Sequence, residues 1–302
     1  MTEQKKQWGL ADRRVLVTGA AGRIGSVVTR HLSELGALVT ALTIVEDDGL
    51  KADRIVIGDT RSEADVAMAL EDVDAVVHLA ALPHPGAGTP YEVYSTNVVS
   101  TFNVLAQAGA LGIKRAVVAS SINAFGVPFN PDDIRPAYYP LDEKIPADVA
   151  DWYSLSKQND ENTCRMAWRR WGIDVVAFRF PHVNSPEALQ RQSDWLKEDP
   201  AGGVREAWAY LDTRDAAYAI ELGLTASLSG AHTLFVAAGT TSTPYETEAL
   251  LDAFAPGVPR LRRFAGREVP IDLTAARTVL GFQARHELEL PTLPLPTDTP
   301  ET

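Results

Sequence analysis

Residues 13–25 read RRVLVTGAAGRIG. The run Arg13–Thr18 is short and rich in apolar, β-branched residues, which predicts a strand buried on both faces. Gly19, Gly22 and Gly25 follow at once in G-x-x-G-x-x-G spacing. Ser26–Leu35 then has helical spacing, and Gly36 stops it. A strand, a glycine turn and a helix in this order set free helix N–H groups at the strand's carboxyl end. The glycines let the backbone turn tightly and come close to an anion, the arrangement that receives a dinucleotide pyrophosphate.

The same alternation continues outward. Ala37–Leu42, Arg54–Ile57, Ala75–Ala81, Lys114–Ser120 and Ile173–Phe180 read as further apolar strands. Ala64–Glu71, Tyr91–Gly109 and Asp151–Trp171 read as the helices between them. Apolar strands alternating with helices predict an α/β fold, a Rossmann-like doubly wound parallel sheet with a small C-terminal α/β substrate lobe. Asn184–Gly203 reads as polar and irregular, Ala207–Leu211 and Thr233–Ala237 as strands, and Glu246–Phe254 as a helix. The expected division is a flexible N-terminus at 1–11 and a cofactor domain at 12–182, to which 209–221 return. A substrate lobe follows from 183–208 and 222–290, with a proline-rich tail at 291–302.

The chain has 302 residues, and Asp plus Glu (40) outnumber Lys plus Arg (28), giving a net charge of −12. That balance argues against nucleic acid, which needs a basic stripe, and against an anionic membrane surface. A single cysteine, Cys164, rules out an intramolecular disulfide and reads as a packed helix residue. The N-terminus lacks a signal-peptide core, and no apolar run reaches the roughly 18 residues of a membrane span, so a cytoplasmic protein is the expectation. The six histidines show no metal-binding spacing, and no metal site is expected.

In a parallel sheet, ligands bind beyond the strands' carboxyl ends. The helix from Asp151 carries Tyr153 and Lys157, spaced i, i+4 on one face. A nearby cation favours phenolate, so Lys157 is expected to bring the Tyr153 pKa down from its usual value near 10 and make it an acid/base for a substrate hydroxyl. Ser121 lies just past the fifth strand, where it can hold the reacting oxygen against Tyr153; Ser120 is the alternative nearer the core. The second strand ends in Thr43, where a ribose-binding acid normally stands. Glu46, Asp47 and Asp48 follow slightly late, which favours NAD, with NADP as the alternative and Arg23 as the residue that could receive its extra phosphate.

Together these residues resemble the extended short-chain dehydrogenase/reductases, the NAD-dependent epimerase/dehydratase superfamily, from Arg14 to about Phe282. The resemblance implies Ser121, Tyr153 and Lys157 as the catalytic trio, with Asn97 in TNVVSTFNVL supporting the site. It implies a cofactor set of Gly19, Gly22, Arg23, Ile24, Gly25, Thr43, Asp59, Thr60, Leu79, Ala80, Ala81, Ala119, Tyr153, Lys157, Phe180 and Pro181. Asp215 resembles a structural aspartate, and Asp272–Phe282 a C-terminal signature. Departures narrow the reaction. Ile122-Asn123 stand where dehydratases carry Asp-Glu, which leaves water elimination without its acid and base. His182 replaces the Asn of nucleotide-sugar members, and the interval from Arg179 to Arg214 is short for a nucleotide grip. Arg191, Lys197 and Arg205 are the only candidate clamps there.

The loop after Ser121 is similar to uronate dehydrogenases, with Asn123 placed for a sugar hydroxyl. His84, His182 and Trp208 complete the candidate substrate residues. The expected activity is hydride transfer between NAD(P) and a secondary alcohol or carbonyl of a small free sugar, sugar acid or lactone. The alternatives are a sugar or UDP-sugar epimerase with tightly held NAD and, third, a non-catalytic NAD(P)-sensing protein. A homodimer through the two long helices is expected.

Overall fold

The computed structural model describes residues 8–296. The elements, in chain order, are β1 (Arg14–Thr18), α1 (Arg23–Glu34), β2 (Leu38–Thr43), β3 (Arg54–Ile57), α2 (Glu63–Ala69), β4 (Ala75–His78), α3 (Pro90–Ala110), β5 (Arg115–Ser121), α4 (Trp152–Trp171), β6 (Asp174–Phe180), β7 (His182–Asn184), α5 (Pro186–Glu198), β8 (Tyr210–Asp212), α6 (Thr213–Thr225), β9 (Ala231–Phe235), α7 (Thr247–Phe254) and α8 (Thr274–Leu280). Seven strands form one sheet in the order β3-β2-β1-β4-β5-β6-β9, every pair parallel. The expected Rossmann-like α/β fold is present.

Side-chain alternation fixes the layers. Val15, Val17, Val77, Val117, Val176 and Phe178 face one way and bury Val28 and Leu32 of α1 and Ile220 and Leu224 of α6. Leu16, Val76, Val118 and Val175 face the other way, against Val66 of α2, Val104 and Leu105 of α3 and Cys164 of α4. A third apolar cluster, with Phe125, Tyr139, Trp208, Phe235, Leu250 and Ile271, fills a lobe over one end of the strands. Among the described residues, no helix is long and apolar enough to cross a membrane.

Local signals explain the long helices. Thr89 caps α3 in a capping box with Glu92, and Pro90 stands at its first position. Asp151 caps α4 by accepting from the Ser154 N–H at 2.8 Å, and Gly172 ends it in a left-handed conformation.

Several expectations need correction. The expected strand at Thr233–Ala237 belongs not to the substrate lobe but to the main sheet, where β9 pairs with β6 as the seventh strand. Leu234 packs into the sheet's core, whereas Phe235 faces the lobe cluster. Asn184–Gly203 is not irregular. It begins at the last residue of β7 and holds α5, the helix capped by Ser185, with Pro186 at its first position and Leu189 and Leu196 buried. The strand expected at Ala207–Leu211 begins only at Tyr210, because Ala207 and Trp208 both adopt left-handed backbone (φ 55° and 51°). For residues other than glycine that conformation costs about 1–3 kcal/mol each.

The ends are also better tied than expected. Leu10 is buried and Trp8 packs on the core, while Leu293 donates its N–H to the Pro244 carbonyl at 2.8 Å. Residues 1–7 and 297–302 of the expected flexible ends lie outside the described residues. Asp215 fastens the C-terminal segment by accepting from the N–H groups of Arg285 (3.0 Å) and His286 (2.8 Å).

The two long helices touch closely at Gly109, where a Cβ would overlap the Trp171 indole. Gly109→Ala is therefore expected to lower unfolding free energy by about 1–3 kcal/mol. Denaturant unfolding would show this as a lower midpoint with an unchanged slope.

Candidate active site

The carboxyl ends of β1, β4, β5 and β6 open onto a cavity of about 890 Å³, within the size range of ligand sites. One wall is the glycine turn. Gly19 has φ 65°, and a Cβ there would meet the Ala80 backbone N at 2.8 Å; a Cβ at Gly25 would collide with the Gly19 carbonyl oxygen. Gly22 caps α1 without a side-chain bond, so the first helical N–H groups remain open to a ligand. Side chains would fill this cradle, and their absence fits a pyrophosphate.

Thr18 binds the two flanking strand ends together: its Oγ1 accepts from the N–H groups of Leu79 and Ala80, both at 3.2 Å. It also bonds His78 Nδ1 at 2.8 Å, and His78 Nε2 lies 3.1 Å from Thr101 Oγ1. Burial, helped by the Lys157 charge, pushes His78 down to about 3, so this imidazole is a neutral strut.

Of the expected cofactor residues, Gly19, Gly22, Arg23, Ile24, Gly25, Leu79, Ala81, Ala119, Tyr153, Lys157, Phe180 and Pro181 line the cavity. Thr43, Asp59, Thr60 and Ala80 do not. Ala80 abuts Gly19 instead. Thr43 closes β2, where its carbonyl accepts from the Gly58 N–H at 2.9 Å, placing Asp59 beside the exposed Ile44 and Val45. Asp59 is held below the usual carboxylate range, chiefly by its bonds to Arg61. Thr60 is buried and bonds Ser100 at 2.8 Å.

Ser121, Tyr153 and Lys157 converge in the cavity. Ser120 is already engaged: it donates to Glu161 at 2.7 Å, and Glu161 also pairs with the buried Arg179. Ser121 accepts from the Asn123 N–H (3.1 Å) and Nδ2 (3.0 Å), leaving its own hydrogen for the Tyr153 oxygen. Both serines line the cavity, and Ser121 is the one whose hydrogen is not held by a carboxylate. Phe129 stacks edge-on against Tyr153, ring centres 5.9 Å apart.

The Tyr153 pKa is raised, not lowered as the sequence suggests. Burial is the largest influence; Lys157 and Ser121 pull downward without overcoming it. Asp160, one helical turn beyond Lys157, adds a smaller upward push. Lys157 Nζ donates to Asp160 Oδ2 at 3.1 Å and to the Ala119 carbonyl at 3.0 Å, and both charged side chains are buried. Burial works to lower Lys157, and the charges of Asp160 and Tyr153 outweigh it, so the ammonium is retained.

Asn97 is wholly buried. It accepts from the Leu82 N–H at 2.8 Å and donates to the Leu82 carbonyl (3.1 Å) and Ser156 Oγ (3.0 Å), while Ser156 donates to the Tyr153 carbonyl at 2.7 Å. Asn97 thus positions the loop after β4 and the turn that carries Tyr153.

Among the expected substrate residues, His84, Asn123 and His182 line the cavity; His84 is exposed, and burial lowers His182. Trp208 does not reach it. It is buried in the lobe and donates from Nε1 to the Pro200 carbonyl at 2.7 Å. Arg205, a candidate nucleotide clamp, is bound to the carbonyls of Asn130 and Asp132, and Arg191 and Lys197 also lie outside the lining. Sequence reading missed Asp160, Phe129 and Glu206. Asp160 was legible as an i, i+3 partner of Lys157; Phe129 and Glu206 sit in irregular segments that carry no periodic signal.

A glycine cradle, a buried Tyr–Lys pair and an adjacent serine at the ends of a parallel sheet define a nicotinamide-dependent oxidoreductase. Residues 15–198 match the NAD dependent epimerase/dehydratase family, and the chain belongs to it. An L-arabinose 1-dehydrogenase (NAD(P)(+)) of Haloferax volcanii is 32% identical over 200 residues, 65% of this chain and 76% of that protein. A uronate dehydrogenase of Pseudomonas putida is 29% identical over 62% of this chain and 67% of its own. Among solved structures, a short-chain dehydrogenase/reductase superfamily protein from Agrobacterium tumefaciens with bound NAD has a TM-score of 0.69. It is 24% identical, covering 91% of this chain and 93% of that one. A UDP-glucose 4-epimerase from Thermotoga maritima shares the fold at TM-score 0.68 and 18% identity, covering 91% and 94%.

Asp160 sets a pH dependence. With Asp160 ionised, the Tyr–Lys–Asp cluster is neutral and becomes an anion when Tyr153 loses its proton. In Asp160→Asn the cluster starts as a cation and becomes neutral, so the proton leaves at lower pH. The tyrosinate ultraviolet step of Tyr153, isolated by subtracting Tyr153→Phe, is expected to move down by about one pH unit or more. An unmoved step would show that Asp160 does not govern Tyr153.

Proposed function

We propose that this chain oxidises a secondary alcohol of a small free sugar, sugar acid or lactone with NAD as its acceptor, NADP being the alternative. The observation that carries the reading is the convergence of Ser121, Tyr153 and Lys157 in a cavity whose only lysine or arginine side chains, among the described residues, are Arg23 and Lys157. A nucleotide diphosphate needs more cationic clamps than these, which also serve the cofactor side. The bound nicotinamide supplies the hydride acceptor. Tyr153 accepts the hydroxyl proton, Ser121 donates a hydrogen bond to the reacting oxygen and holds it at the phenol, and Lys157 favours phenolate. Asn97 keeps the Tyr153 turn in place. The arabinose and uronate dehydrogenases among the relatives support a free sugar. UDP-glucose 4-epimerases are also relatives, and the competing reading is an epimerase that returns the hydride.

Tyr153→Phe is expected to reduce turnover by at least about 100-fold while cofactor binding persists. In the unmodified enzyme, NADH should accumulate in step with sugar consumed. Substrate conversion without NADH would establish the epimerase instead.

We also infer a cytoplasmic homodimer joined through α3 and α4, supported by the exposed Val99 and Phe102 of α3 and Leu155 and Trp168 of α4. Light scattering should give twice the chain mass, and Phe102→Glu should halve it. A monomeric mass for the unmodified protein would overturn the dimer.

A further inference from the structure

Among the described residues, Glu206 is the sole acidic one lining the cavity. Its side chain has no hydrogen-bond or ion-pair partner among the described residues, and burial pushes its carboxyl up with nothing to offset it. Glu206 is half-buried, with its carboxyl at the cavity wall, and an unpaired carboxyl there calls for an explanation.

The backbone around it is firmly built. Glu206 ends a tight helical turn over Pro200–Glu206, and the two residues behind it are the left-handed Ala207 and Trp208. Trp208 donates its N–H to the Gly203 carbonyl at 2.9 Å. Its own carbonyl accepts from the N–H and the hydroxyl of Ser242, both at 2.9 Å. Arg205, one residue before, is fastened to the carbonyls of Asn130 and Asp132 and to Asp133. Strain held in place by such contacts marks functional positions. Here it aims one carboxyl into the cavity and turns the neighbouring cation away.

We propose that Glu206 is the specificity-determining residue of this cavity, its oxygens accepting hydroxyl hydrogens of an uncharged sugar and repelling the carboxylate of a sugar acid. The inference rests on the dehydrogenase reading above and narrows its substrate class. Adjacent sugar hydroxyls offer two donors, and a carboxylate can accept both. A second carboxylate would meet a like charge where water is scarce. Of the cavity's cations, Lys157 is paired with Asp160, and Arg23, which donates to the Val183 carbonyl at 3.3 Å, stands beside the glycine turn on the cofactor wall; burial lowers His182.

The test pairs D-galactose with D-galacturonate, D-glucose with D-glucuronate, and adds L-arabinose. Each is assayed with NAD and NADP on the full chain, on Glu206→Gln and on Glu206→Arg. The unmodified enzyme should prefer the neutral sugar by about 100-fold or more in kcat/KM, and Glu206→Gln should shrink that ratio about tenfold, chiefly through KM. Glu206→Arg should favour the uronate. NADH fluorescence should report unchanged cofactor affinity in both variants, separating a lost sugar contact from a damaged fold. Equal use of both sugars by the unmodified enzyme, or a ratio unmoved in Glu206→Gln, overturns the proposal. If no sugar yields reduced nicotinamide, the dehydrogenase reading fails, and calorimetric titration of the NADH complex decides the role of Glu206. Binding of the neutral sugar alone upholds it; binding of the uronate overturns it.

Discussion

Every neighbouring pair of strands in the main sheet runs parallel, and that one constraint places the site. Parallel strands require crossover helices, which cover both faces and leave only the two strand-end edges open. At the carboxyl edge, β1 delivers the glycine turn, β4 the loop held by Asn97, β5 the serine, and β6 the Phe180–His182 segment. The lobe roofs this edge. Residues as distant in sequence as Gly19 and Glu206 therefore line one cavity.

Within the cavity, the governing balance is between burial and charge. Tyr153, Lys157 and Asp160 are all withdrawn from water, and none would tolerate ionisation alone. Asp160 keeps Lys157 charged, Thr101 and the neutral His78 buttress Asp160 from behind, and the Ala119 carbonyl fixes the ammonium at the end of β5. The cost is a phenol that holds its proton more tightly than a solvated tyrosine. Nearby, Glu161, Arg179 and Ser120 bond to one another as a separate group, leaving Ser121 available.

The sequence carried the sheet, the glycine turn and the Ser–Tyr–Lys set because each depends on local spacing: apolar runs for strands, i, i+4 for the helix pair, glycines where a Cβ cannot fit. It carried less where geometry is tertiary. Thr233–Ala237 reads as a strand, but the shift to Ala231–Phe235 and its place beside β6 are decided by packing. The helix at Pro186–Glu198 was legible in its Ser185-Pro186-Glu187 start and was masked by a polar surface. Trp208 reads as a candidate pocket wall, and its left-handed backbone turns it into the lobe core. The sign of the Tyr153 shift could not be read from Y-x-x-x-K alone, since it depends on how deeply the pair is buried and on Asp160.

The strained turn at Ala207–Trp208 separates two jobs along the chain. The reacting groups stand on β5 and α4, whereas Glu206 stands on a turn anchored by the lobe. A substitution at that turn would redirect which molecules enter without disturbing the groups that transform them. Ancestral duplicates of such an enzyme could diverge in diet while conserving their chemistry, and a designer seeking a new sensor or biocatalyst could vary this one corner.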